Sequence, residues 1–211
     1  RVENKLRESG VEIRLSTAVT SVRRVDSGVE VKAAGGVYEY FDEVIFATHS
    51  DITLGMLSDP TEIERNSLNS IKYQSNTMVL HGDTSIMPKR KAAWASWVYT
   101  EEKNRRSDHI DLTYWINRLQ SLPEDDPCFV TLNTQRPIKP HLIYDECVFY
   151  HPVFDLAALQ GQQILADSNG ANSTWFCGAW MRNGFHEDGL ATGMEVARGI
   201  LDQSSSMIAA E

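Results

Sequence analysis

The sequence predicts a mixed α/β (α+β) protein in which an antiparallel sheet interrupts a set of βα units. An apolar run without alternation occupies residues 43–48, as expected for a strand that is covered on both faces. Five strand-like runs then follow between residues 73 and 150, separated by turn or charged segments, which favours an antiparallel meander of sequential neighbours. A short apolar strand, a glycine-bearing loop and an amphipathic helix fill residues 174–201.

The first part of the chain reads as a helix end followed by a small meander. Residues 2–9 predict a helix that Gly10 stops in the left-handed conformation. Residues 11–25 are rich in β-branched side chains and predict a strand, and glycines at 28, 35 and 36 predict the turns of the meander.

A helix start is predicted next, with Asp59 as N-cap, Pro60 at the first helical position and an acid at the third. Its apolar residues Ile63, Leu68 and Ile71 are expected to face inward, and the helix should finish near Ser70. A second helix is predicted over residues 156–165, capped by Asp155.

The predicted meander is unusually aromatic. Its strand-like runs are 73–81, 92–99, 110–119, 128–132 and 143–150, and its prominent aromatic residues are Trp94, Trp97, Tyr99, Tyr114 and Trp115. On strict alternation Trp97 and Tyr99 share a face that excludes Trp94. These rings either fill a core or form the wall of a hydrophobic cavity for an apolar, lipid-like molecule.

The closing segment has the form of a ligand-binding turn. A strand ends at Gly178, and the helix predicted to begin near Gly189 carries an apolar stripe of Leu190, Met194, Ala197 and Leu201. Free backbone N–H groups at a helix start favour a phosphate or a ring that becomes anionic. The alternative is an ordinary βα unit with turn glycines.

Composition excludes several classes of function. The chain has 211 residues and a net charge of −9, which argues against nucleic acid as the main partner, so the basic clusters at 89–91 and 105–106 read as solvated loops. No apolar run approaches a membrane helix of roughly 18 residues, and no signal peptide is visible. Three widely spaced cysteines predict reduced thiols in the cytoplasm, and the histidines show no metal-ligand spacing with them.

The segments 11–48 and 174–201 together resemble the FAD-dependent amine oxidase superfamily. The closing segment is similar to a branch of predicted FAD/NAD-binding proteins, and to the oxidase-like region fused to plant cyclopropane-fatty-acid synthase. The resemblance implies the C-terminal part of an FAD/NAD(P)-binding Rossmann-like domain with an inserted substrate domain. Its implied divisions are 1–58 (FAD domain, part), 59–167 (substrate domain), 168–203 (closing strand and helix of the FAD domain) and 204–211 (tail).

The chain begins without an initiator Met and has no G-x-G-x-x-G turn, so we expect a C-terminal fragment of a longer protein. Such a fragment should be inactive and should not retain FAD. It should also expose apolar surface on strands 44–46 and 175–177, and self-associate through it.

The resemblance implies a set of cofactor contacts. Val19 would lie at the adenine end of FAD and Thr48 in a turn beside the cofactor. The remaining contacts would come from the turn and helix start, at Cys177, Gly178, Ala179, Gly189, Leu190 and Ala191.

Three further residues are candidates for the catalytic site. Phe185 falls where the family places an aromatic residue on the flavin face, and Trp180 is a second flavin neighbour. His186 could shuttle protons near neutral pH. Glu187 or Asp188 could cap the helix, and we expect both carboxylates to turn away from the anionic reduced ring.

Because of two departures from the family pattern, we predict an FAD-dependent oxidoreductase and do not predict amine oxidation specifically. Ala179 stands where the family has an acidic or polar residue, and residues 74–77 lack the family's lysine. We therefore predict flavin-mediated hydride transfer from an apolar or lipid-like small molecule. The alternatives are a non-catalytic flavin-fold or lipid-binding module that has lost turnover, and a desaturase-like or isomerase-like enzyme acting on an unsaturated lipid.

Overall fold

The structure is a computed structural model that describes residues 1–101 and 110–208, with side chains to residue 205. The helices are α1 (Val2–Glu8), α2 (Ser50–Met56), α3 (Glu62–Ser70), α4 (Ile116–Gln120), α5 (Leu156–Ser168) and α6 (His186–Ile208). The strands are β1 (Val19–Val25), β2 (Gly28–Ala33), β3 (Tyr38–Phe41), β4 (Val44–Phe46), β5 (Lys72–His81), β6 (Trp97–Thr100), β7 (Asp111–Trp115), β8 (Phe129–Leu132), β9 (Ile143–Val153) and β10 (Thr174–Phe176). This mixture of helices with antiparallel and parallel sheets confirms the predicted fold class.

Two compact units divide the chain. The first contains residues 1–72 and the chain from residue 152 onward, and the second contains residues 73–151. The functional boundaries at residues 59 and 167 stay a prediction. The basic pair at 105–106 lies outside the described residues, as does the end of the predicted tail.

The first unit contains two sheets. Strands β1, β2 and β3 form an antiparallel meander, with Gly10 and Gly35 in the left-handed conformation as predicted. Strands β4 and β10 pair in parallel, with Thr174 opposite Val44 and Phe176 opposite Phe46. The rings of Phe46 and Phe176 stack at a centroid distance of 5.8 Å. The closing strand therefore pairs with the strand predicted near residue 45, although 128 residues separate 46 from 174 in the chain.

Three predicted features of β4, β10 and the N-terminal strand are wrong. Residues 11–18 are not a strand, because Ser16 has a φ of 53° and the Thr17 hydroxyl turns back to the Leu15 carbonyl. The expected apolar surface on residues 44–46 and 175–177 is mostly covered, since four of these side chains are buried against neighbouring elements. Ile45 is the one exposed residue among the six, at 49%, so β4 is not covered on both faces.

Helix α3 starts two residues later than predicted. Thr61 is the N-cap: its hydroxyl accepts a hydrogen bond from Glu64 N, and the Glu64 carboxylate accepts one from Thr61 N. Asp59 instead accepts bonds from the backbone and guanidinium of Arg24. Because the helix start moves, Ile63 faces solvent rather than inward, whereas the inward positions of Leu68 and Ile71 are confirmed.

A buried ion pair joins α3 to β1. Arg24 and Glu64 form it with side chains only 11% and 8% exposed, and Arg24 Nε also donates to Thr174 Oγ1 over 3.1 Å. Thr174 begins β10. The ion pair therefore ties the meander, α3 and the closing strand together.

The second unit is a five-stranded sheet in the order β6-β7-β8-β5-β9. The prediction that sequential neighbours pair holds for β6 with β7 and β7 with β8, but β5 pairs with β8 rather than β6. Two predicted strands are also shorter than expected. Residues 91–93 form a 3₁₀ turn and residues 116–120 form α4, so the strands there cover only 97–100 and 111–115.

The aromatic residues of this unit divide between the two faces of the sheet. Trp94 packs edge-on against Trp115 and Phe129, at centroid distances of 5.2 and 5.7 Å, and its indole N–H donates to Pro88 O. Trp97 and Tyr99 lie on the opposite face and are exposed. The core interpretation is therefore correct for Trp94 and Trp115, and the other rings are available to form a surface.

Candidate functional site

The candidate site lies where β4 and β10 end. In parallel strands the carboxyl ends meet at one edge of the sheet, and in open α/β sheets ligands bind outside that edge. Thr48 follows β4 and Gly178 follows β10. The buried Trp180 indole N–H donates to the Thr48 carbonyl over 2.9 Å, so the two turns are joined directly. Trp180 therefore positions the turns.

Gly178 is required by its conformation and by a close approach. Its φ is 137°, and a Cβ at this position would lie 2.9 Å from the Trp180 indole nitrogen. Its N–H donates to Thr192 Oγ1 over 3.0 Å, and the preceding N–H of Cys177 donates to Phe46 O. Both amides are thus engaged within the protein. Burial raises the pKa of the Cys177 thiol, so this cysteine is a packed, neutral side chain.

The helix after this turn begins earlier than the sequence predicted. Helix α6 starts at His186, and Gly189 already lies within its first turn, where its N–H donates to Phe185 O at 3.3 Å. The expected free amide at Gly189 is therefore wrong. Leu190 and Ala191 lie further along the same helix, so their amides are not at its mouth either.

Ala179 supplies the free donor instead. Its backbone N–H has no hydrogen-bond partner within residues 1–101 and 110–208. A Cβ at residue 189 would lie 3.6 Å from Ala179 N, so the glycine keeps the approach to this amide open. Gly189 is therefore not a donor itself. Its lack of a side chain leaves space beside the Ala179 amide on the preceding turn.

The helix mouth is capped by one of its own acids. Asp188 accepts a hydrogen bond from Phe185 N at 3.0 Å, while Phe185, His186 and Glu187 are exposed. The capping interpretation is therefore correct for Asp188. The expectation that both carboxylates turn away from the reduced ring stays a prediction.

The predicted apolar stripe of α6 faces outward. Leu190, Met194 and Leu201 are 60%, 47% and 66% exposed, and Ala197 is exposed as well. The buried face of α6 is formed by Thr192 and Val196, with Val196 packing on Trp175. The polar Thr192 fits this face because its hydroxyl also donates to the Asp188 carbonyl four residues earlier.

Val19 is on the three-stranded sheet, at a register shift between β1 and β2, and is not part of this turn.

A cavity of about 760 Å³ adjoins the turn that follows β10, and it is lined by residues of α5, β10 and α6 that include Gln162, Trp175 and Thr192. Gln162 Nε2 donates to the carbonyls of Trp180 and Arg182, and so supports the turn from α5. Ligand cavities of this size are typical of proteins.

The second unit presents a largely apolar sheet face. Cross-strand pairing places Trp97 opposite Tyr114, and joins Tyr99, Leu112, Leu132 and Met78 in one row across four strands. Trp97 and Tyr114 meet edge-on at 5.5 Å. Burial raises the pKa of the Tyr114 hydroxyl, which keeps it neutral. This surface has the composition of a binding wall for an apolar molecule.

Within the described residues, no group of three metal-ligating side chains is placed to hold an ion, and no helix has the length and apolarity to cross a membrane.

Comparison with known proteins identifies the fold. No protein-family model and no curated protein matches the sequence. Among solved structures, a fatty acid isomerase from P. acnes that produces CLA matches with a TM-score of 0.60 and 14% identity, over 86% of this chain and 47% of the isomerase. A putative protoporphyrinogen oxidase from Exiguobacterium sp. 255-15 gives 0.64 and 15%, over 94% and 50%. Putrescine oxidase bound to putrescine gives 0.61 and 15%, over 95% and 52%.

The chain therefore shares the fold of these neighbours, two oxidases and an isomerase, over the matched parts. It spans about half the length of the solved structures that it matches.

Proposed function

We propose that this chain is the C-terminal portion of an FAD-dependent oxidoreductase of amine-oxidase-like type, which oxidises an apolar or lipid-like small molecule. The observation that carries the proposal is the unpaired Ala179 amide, which lies beside Gly189 at the carboxyl ends of two parallel strands. A flavin oxidoreductase-like fold supports the same assignment.

The residues present fit such a cofactor. Ala179 N–H would donate to a cofactor oxygen, and Gly189 would leave room for it. The N-terminus of the long helix α6 would favour negative charge near it. When bound, FAD supplies the hydride acceptor for the substrate. Trp180 fixes the turn, and the exposed Phe185 and His186 are the side chains free to meet a substrate or exchange a proton.

An apolar substrate is supported by the second unit. Its aromatic sheet face offers rings and aliphatic side chains, and the first strand carries no lysine over residues 74–77. One structural neighbour is a fatty acid isomerase. Amine oxidation is the less favoured activity because the chain lacks the basic residue that the resemblance would place there.

The proposal is tested on the longer polypeptide that contains this chain. We expect natively purified protein to be yellow, with flavin absorbance, and to release FAD on denaturation. Substrate classes are then compared by anaerobic bleaching of that absorbance, and an unsaturated fatty acid should bleach it faster than a diamine. A colourless protein that takes up no added FAD would remove the proposal.

A non-catalytic flavin-fold or lipid-binding module is the second candidate. It is favoured by Ala179, which offers only a backbone group where the family has a polar side chain, and by the missing lysine. Photoreduction of the bound flavin followed by reoxidation with electron acceptors separates the two candidates. In the enzyme, a substrate should reduce the bound flavin and at least one acceptor should reoxidise it. In the non-catalytic module, no substrate should reduce the flavin.

A further inference from the structure

A series of hydrogen bonds in the second unit fixes the ring of His151. It starts at the backbone N–H of Thr77, which donates to Asn133 Oδ1 over 3.0 Å. Asn133 Nδ2 donates to Asn76 Oδ1 over 2.7 Å, and Asn76 Nδ2 lies 2.9 Å from His151 Nδ1. Because a backbone N–H can only donate, the direction of every later bond in the series is set.

That direction determines the tautomer of His151. Nδ1 accepts a hydrogen bond from the Asn76 amide, so the ring proton of the neutral imidazole is on Nε2. Asn76 cannot be flipped without loss, because its Nδ2 also donates to the Gln74 carbonyl over 3.0 Å. Asn76 is only 8% exposed, whereas His151 is exposed, and His151 Nε2 has no partner in the part of the chain that the structure describes. His151 therefore presents an oriented N–H donor.

The donor stands at the apolar sheet face. Asn76 lies two residues before Met78 on β5, and alternate residues of a strand share a face. Through cross-strand pairs the face continues from Met78 to Leu132, Leu112 and Tyr99. With neighbouring strands about 4.8 Å apart, this row is about 14 Å long. An apolar strip of that length ends beside the His151 donor.

We infer that this face binds an amphiphile with a carboxylate head group. Its hydrocarbon chain would lie along the row from Met78 to Tyr99, and its carboxylate would accept the Nε2–H of His151. An alkylammonium has donors only, and so cannot accept this bond. The inference narrows the apolar substrate of the proposed function and rests on that function for its catalytic meaning, but the binding itself requires no flavin.

The first test measures the tautomer in the 211-residue chain. Long-range ¹H–¹⁵N correlation spectra above neutral pH distinguish a protonated from an unprotonated ring nitrogen. We expect His151 to carry its proton on Nε2, and to shift to a mixture of tautomers in Asn76→Ala. A wild-type His151 that is protonated on Nδ1 would overturn the assignment.

The second test measures binding by titration calorimetry with dodecanoate and dodecylamine. We expect dodecanoate to bind more tightly than dodecylamine, and His151→Phe to weaken dodecanoate binding by about tenfold or more, since a hydrogen bond to a charged group is lost. His141→Phe, another exposed histidine of the same unit, is the matched control and should bind as the wild type does.

His151→Gln distinguishes a lost donor from lost packing, because the glutamine amide retains an N–H donor. It should recover a part of the dodecanoate affinity that His151→Phe loses, with an unchanged circular dichroism spectrum. Equal affinities in the wild type and His151→Phe, or equal affinities for dodecanoate and dodecylamine, would refute the inference. If dodecanoate binds as expected but the longer polypeptide takes up no flavin, the proposed function fails and this site stands.

Discussion

Replacing Gly189 by alanine should separate the stability of helix α6 from its role at the cofactor site. The residue is within the helix, and a Cβ there would lie 3.6 Å from Ala179 N and 4.0 Å from Ala179 Cβ, which is ordinary contact. Alanine is favoured over glycine in a helix interior by about 0.5–1 kcal/mol. Gly189→Ala should therefore unfold at a temperature about 1–4 °C higher than the wild type.

The same methyl group should weaken flavin binding. A cofactor oxygen must come within about 2.9 Å of Ala179 N to accept its hydrogen bond. The methyl carbon occupies that approach, and losing a hydrogen bond to a charged oxygen costs about 1.5–3 kcal/mol. We expect the FAD dissociation constant of the longer polypeptide to rise by about tenfold or more.

Gly193→Ala is the matched control on the same helix, because a Cβ there meets nothing within 4 Å. It should raise the unfolding temperature by a similar amount and leave flavin binding unchanged. Thermal unfolding of the 211-residue chain and fluorescence titration of FAD into the longer polypeptide measure the two effects. Equal FAD affinities in both variants, or a Gly189→Ala chain destabilised by more than about 1 kcal/mol, would refute the reasoning.

Three further predictions concern stability and association. Glu64→Ala should reduce the free energy of unfolding by about 1–3 kcal/mol, because Arg24 then loses its buried carboxylate partner and retains only the more exposed Asp59; urea unfolding measures this, with the exposed Glu62→Ala as control. Burial lowers the pKa of His81 in the folded state. The free energy of unfolding should therefore be highest above the unfolded-state pKa of about 6.5 and fall as the pH drops below it. The urea midpoint of His81→Gln should vary less between pH 7 and 5 than that of the wild type. We also propose self-association through the outward stripe of α6, so that Leu190→Lys should shift the chain towards monomer in size-exclusion chromatography at a fixed concentration.

Each of these has an outcome that contradicts it. A Glu64→Ala effect below about 1 kcal/mol would mean that the ion pair is dispensable. A His81→Gln profile as steep as that of the wild type would assign the acid sensitivity to another group. A wild-type chain that elutes as a monomer over a wide concentration range would exclude self-association.

Sequence patterns located the strands of the first unit because those strands are short apolar runs bounded by turn residues. The pairing of β4 with β10 confirms this, and so do the meander turns at Gly28 and Gly35. The start of α3 was misplaced because Asp59, a good capping residue by type, is engaged by Arg24. A preference for a cap cannot show which nearby partner competes for it.

Helix α6 shows why an apolar stripe does not identify the buried face. Leu190, Met194 and Leu201 are more apolar than Thr192, and yet Thr192 is buried because its hydroxyl is bonded to Gly178 and to the helix backbone. A hydroxyl that satisfies its own hydrogen bonds enters a core at little cost. The sequence signal for this burial was the position of Thr192 four residues after Asp188, from which its hydroxyl reaches the Asp188 carbonyl.

The sequence and the structure point to the same turn as the candidate site, but with a different free donor. The glycines at 178 and 189 indicated a close approach, and the structure assigns that approach to the Ala179 amide. Which amide is free depends on where the helix begins, and α6 begins at His186, three residues before Gly189. The bonds that orient His151 join residues 57 and 75 positions apart, so no local pattern contains them.

The most direct test of the account is a crystal structure of the flavin-loaded longer polypeptide. The account predicts that Ala179 N lies 2.7–3.2 Å from an oxygen of the cofactor, the range of a hydrogen bond, with no side-chain atom of residue 189 between them. A cofactor bound elsewhere, or an Ala179 amide that donates to a protein group instead, would contradict it.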